Sequence, residues 1–177
     1  MRKLLLALLA LTLIVSMIGC VSQDSTPEGK DETKENVPEI SAEERQRMNL
    51  YIAVMKAAFQ EENGGNGFIA VKLDTLEGLS DQAKEKVLNE LSDISSNIYA
   101  FEDVKNDNTK FELDDEGRLI RSIDGALLWV TVEEYSESEA TITGVSWFGN
   151  LGAVFPEYKA TLENGTWQLE LISMAVS

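Results

Sequence analysis

From about residue 109 to its end the chain repeats apolar residues at every second position, and turn signals interrupt the pattern at short intervals. Period two is the signature of strands with one buried and one solvated face. Phe111 and Leu113 open the run, and Asp114-Asp115-Glu116-Gly117 closes that segment as a turn. Leu119 to Ile123 and Ala126 to Tyr135 read as strands joined at Asp124-Gly125. Thr141 to Phe148 follows the turn Ser136-Glu137-Ser138, and Gly149-Asn150-Leu151-Gly152 is a glycine-punctuated joint. Val154 to Glu163 and Thr166 to Met174 flank Asn164-Gly165, the best hairpin signal in the chain. In that hairpin Tyr158, Ala160 and Leu162 share a face with Trp167, Leu169 and Leu171, while Lys159, Thr161 and Glu163 point away. Gly144, Gly152 and Pro156 weaken flat strands, so bulges and strong curvature are expected.

Upstream of residue 109 the period changes. Ser41 and Glu44 have capping-box spacing, and Met48, Tyr51, Ile52, Met55, Ala58 and Phe59 recur on one face of a helix that stops at Asn63-Gly64-Gly65. Phe68 to Asp74 reads as a strand. Ser80 caps a second helix, with Ala83, Val87, Leu91 and Ile94 on one side and Lys84, Glu85, Lys86 and Glu90 on the other. The expected class is α+β: two helices packed on a curved antiparallel sheet of about five or six strands, forming a single domain over residues 41–177.

Residues 1–19 read as a processing signal. Arg2 and Lys3 form a positive start, and Leu4 to Ile18 is an apolar run of 15 residues. A membrane-spanning helix needs roughly 20 residues, so the run fits a cleaved signal better than a permanent span. Met17-Ile18-Gly19-Cys20 resembles the lipobox of bacterial lipoproteins, although Met17 replaces the usual Leu. That resemblance implies a diacylglycerol, carrying acyl chains such as palmitate, on the sulfur of Cys20, with cleavage before that residue. The chain would then be held at the extracytoplasmic face of the cell membrane by a lipid anchor. Cys20 is the sole cysteine, so no intramolecular disulfide competes for it. Residues 20–40 continue as an acidic segment with two prolines and little apolar surface, expected to be a disordered linker.

From Cys20 onward the chain carries 13 basic and 31 acidic residues, a net charge of −18. Such a surface repels phosphate backbones, so nucleic acid is not an expected partner. The absence of histidine removes the Ser-His-Asp triad, the Cys-His pair and the imidazole zinc site. No cofactor or metal site is expected. Glu102, Asp103, Asn106, Asp107 and Asn108 are rich in oxygen ligands but lack a calcium-loop register, and Asp114 to Glu116 lie on a turn.

Tyr158 to Leu169, a Tyr strand, an Asn-Gly turn and a Trp strand, is similar to the closing hairpin of the cystatin-like or NTF2-like superfold. That resemblance, over roughly residues 41–177, leaves two functional readings open. One is a non-catalytic module that binds a small ligand or another envelope protein. The other is an NTF2-like enzyme using a carboxylate and one of Tyr51, Tyr99, Tyr135 or Tyr158 in the sheet's concavity. Trp129, Trp147 and Phe148 are the aromatics expected at a ligand groove, with core packing as the plainer alternative for the two tryptophans.

Overall fold

The computed structural model describes residues 39–177. The signal segment, the lipidation at Cys20 and nearly all of the linker lie outside the described residues. Helix α1 spans Ala42–Glu61. Half of the expected capping box forms, since the Glu44 amide donates to Ser41 Oγ at 3.1 Å. The Glu44 carboxylate reaches elsewhere and accepts from the Ser80 amide at 2.5 Å. Ser80 is the N-cap of α2, Asp81–Glu90, so this single carboxylate ties the starts of the two helices together. The packed core begins one residue ahead of Ser41, with Ile40 buried in it.

Among the described residues eight strands form one sheet. They are β1 Phe68–Val71, β2 Ile98–Ala100, β3 Phe111–Leu113, β4 Leu119–Ser122, β5 Gly125–Tyr135, β6 Glu139–Gly149, β7 Gly152–Glu163 and β8 Thr166–Val176. A four-residue helical turn, Phe101–Val104, follows β2. Strands β5 to β8 make an antiparallel meander, as the period-two reading expects. The α+β arrangement of two helices on a curved sheet is present, but the sheet is mixed. β1 runs parallel to both β2 and β5, with Ile69 opposite Ile98 and Ala126. The physical reason is the connection: α2 lies between β1 and β2, and a helical crossover returns the chain to the same end of the sheet. All four residues of β1, Phe-Ile-Ala-Val, are buried. A strand covered on both faces has no polar alternation to display.

The sheet separates two apolar cores. The larger one packs α1 and α2 on Ile69, Val71, Ala126, Leu128, Val130, Ile142, Tyr158, Ala160 and Trp167. The smaller lies on the opposite face, where Phe68, Ala70 and Leu127 meet Phe111 and Val104. Phe111 makes edge-to-face contacts with Phe68 and Phe101, with centroids 5.4 and 5.8 Å apart. The β7–β8 hairpin has the expected register, Tyr158 opposite Leu171, Ala160 opposite Leu169 and Leu162 opposite Trp167. Asn164 and Gly165 both adopt positive φ, the backbone of a two-residue hairpin turn.

Candidate functional site

Helix α1 gives the domain two distinguishable ends. At its start the Trp167 indole donates to the Gln46 carbonyl at 2.9 Å, and the Arg47 guanidinium stacks 3.9 Å from the Tyr135 ring centre. The chain enters the domain at this end. About 30 Å away, at 1.5 Å per helical residue, the loop after α1 lies against Phe148 and Gly125. The β6–β7 turn sits at this second end, with Leu151 at its tip and 95% exposed. Beside Leu151 is a depression of about 380 Å³ lined by Ile120, Arg121, Phe148, Gly149, Asn150 and Gly152. The Asn150 amide donates to the Ile120 carbonyl at 2.9 Å, fixing the turn against β4. Its polar rim is supplied by Arg121, which pairs with Glu112 at 2.6 Å.

Of the three aromatics singled out from sequence, Phe148 lines this depression. Trp129 and Trp147 do not join it. They stand on the opposite face of the sheet, half-buried against the smaller core. Lys72 Nζ lies 4.0 Å from the centre of the Trp129 ring, and burial pulls its pKa down. That ring face is therefore covered by the protein's own cation. Leu151 escapes sequence reading because a leucine in a glycine-rich turn has no periodic neighbour to reveal its exposure.

Of the four tyrosines, two are buried and two lie beneath cations. Tyr51 is buried and donates to the Glu77 carbonyl at 2.9 Å. Tyr99 lies beneath Lys110, and Tyr135 beneath Arg47. Tyr158 is buried, and among the described residues its hydroxyl has no partner. Desolvation, and then Glu61, push its pKa up to about 12. An unpaired buried hydroxyl costs stability. Tyr158→Phe should therefore stabilise the domain by about 1 kcal/mol and raise Tm by a few degrees, as thermal unfolding would show. A lower Tm would mean that the hydroxyl has a bonded role.

Several carboxylates of the oxygen-rich segments are paired locally. Asp107 accepts from the Thr109 amide and hydroxyl and from Lys110 at 2.6 to 2.9 Å, which holds its carboxyl at about 2. Asp114 is bonded to the Glu116 amide and to Arg118, and Glu102 to Lys105. No cluster of metal-ligating side chains occurs among the described residues. The Gly64 to Gly67 loop ends α1 and packs against Asp124 and Gly125. No family model, curated protein or solved structure matches this chain.

Proposed function

We propose that the chain is an extracytoplasmic lipoprotein, anchored through Cys20, whose domain is a non-catalytic binding module. In this reading the module takes an apolar group of another envelope protein or of a small ligand at the β6–β7 turn. The observation that carries it is Leu151, fully presented beside the Phe148 depression at the end remote from the chain's entry point. What supports the reading is the combination of this exposed side chain with the mainly apolar hollow beside it, since a lone exposed leucine is ordinary.

The rival enzyme reading rests on Tyr158 and Glu61. Its weakness is the larger core, in which α1 and α2 fill the face of the sheet that a substrate would need.

Photo-cross-linking in whole cells tests the binding module. A photoreactive residue at Asn150 should give a discrete adduct, and Leu151→Asp should reduce it at least tenfold. Since Leu151 is exposed, that change should leave stability within about 0.5 kcal/mol. Equal adducts from a probe at Glu137, in the turn at the opposite end, would overturn the proposal.

A further inference from the structure

Strand β8 combines a free main-chain edge with an uncovered apolar stripe. Among the described residues its main chain pairs only with β7, from Thr166 to Val176. The edges offered by β2 and β3 are three residues long, and the end of β5 carries Glu133 and Glu134. β8 has 11 residues, and its only charge is Glu170. Natural edges of that length normally carry several charges, proline, bulges or a cover that limits pairing, whereas β8 carries one charge and one bulge, at Ile172.

The stripe follows from the register. Leu171 stands opposite Tyr158, Met174 opposite Pro156 and Val176 opposite Val154, all on the face that carries α1. Ile172 is the extra residue of a bulge, because Glu157 already pairs with Ser173. Trp167 and Leu169 pack into the core beside α1. Beyond them Leu171, Ile172, Met174 and Val176 are 47, 54, 46 and 66% exposed. These are four of the six large apolar residues exposed among the described residues.

We infer that β8 is a self-association edge, pairing antiparallel with β8 of a second copy of this chain. A strand occupant satisfies the edge amides and carbonyls, and β8 itself has the matching pattern. With the two-fold axis between Ile172 and Ser173, Leu171 faces Met174 of the second copy, and Leu169 faces Val176. Glu170 then faces Ala175, so no two carboxylates oppose each other. Elsewhere a net charge of −18 on the chain from Cys20 repels another copy; residues 171–177 carry none. The four exposed side chains supply roughly 400 Å² per copy, about half of the 800 Å² that each partner gives a standard interface. The edge main chain, Ser173 and Ala175 add to this, which suits a weak, concentration-dependent dimer. A closed two-fold contact consumes the edge and stops further growth.

Disulfide trapping reads the register directly. In a full chain carrying Cys20→Ser the introduced thiol is the only one. Glu170→Cys and Ala175→Cys chains, mixed and oxidised, should form a mixed disulfide at least tenfold more efficiently than either chain alone. Directly opposed residues bring Cβ atoms about 5 Å apart, whereas the same residue on two copies would be about 16 Å away. In chromatography with light scattering, Met174→Asp should abolish the dimer, and Leu171→Lys with Met174→Asp should restore it through opposite charges across the axis. Absence of the mixed disulfide, or equal yields from the single chains, would overturn the inference.

Discussion

Gly144→Ala is expected to destabilise the domain by about 2 kcal/mol, and Gly144→Val by about 3 kcal/mol or more, in denaturant unfolding. Gly144 lies on β6 opposite Val130, on the face crossed by α1. A Cβ there would stand 2.8 Å from Val54 Cγ1, 2.9 Å from the Val54 carbonyl oxygen and 3.0 Å from Ala58 Cβ. Two of these three neighbours are helix backbone or a methyl fixed to it, so relief requires moving α1 itself. That helix carries Leu50, Tyr51, Val54, Met55 and Phe59 into the core, so a shift is felt throughout it. The sign of the effect decides between two roles. If Gly144 only loosened the strand, alanine would stabilise by about 0.5–1 kcal/mol, because it restricts the unfolded chain. If α1 needs the space, alanine destabilises, and Val54→Ala should partly rescue Gly144→Ala by removing the nearest methyl.

Cys20→Ser should move the protein from the membrane fraction to the soluble fraction and abolish labelling by radioactive palmitate. The expected change is essentially complete, since each acyl methylene placed in a bilayer contributes about 0.8 kcal/mol and two or more chains hold effectively permanently. The acidic composition offers no basic patch to retain the chain once the lipid is gone. No helix among the described residues is long and apolar enough to cross a membrane. An unlabelled Cys20→Ser chain that stays in the membrane with residues 1–19 intact would replace the lipoprotein proposal with an uncleaved anchor.

The two tryptophans and Phe148 show how far a strand pattern reaches. Alternation separates Trp147 from Phe148, and the structure places them on opposite faces of β6. What alternation does not encode is which face receives α1, or that β3, β4 and the turn Phe101–Val104 cover part of the other. From the sequence core packing is the plainer reading of Trp129 and a groove the other, and Lys72 on its ring settles its surroundings. In the same way the S-x-x-E spacing marks the start of α1 correctly, but Glu44 bonds to Ser80, 36 residues away.

Elements whose causes are local are legible in the amino-acid order alone. Ser41 and Ser80 cap the helices, Asn164-Gly165 turns the last hairpin, and the two apolar periods place α1 and α2 apart from the strands β5 to β8. These follow from steric limits and from burial repeating along a few consecutive residues. Tertiary structure alone decided the parallel pairing of β1, the two-sided core, the close approach of α1 to Gly144, and the exposure of Leu151 and of the β8 stripe. Each depends on which distant segments come to lie together, or fail to cover one another. A single strand or turn carries no local energy term that records its absent neighbours.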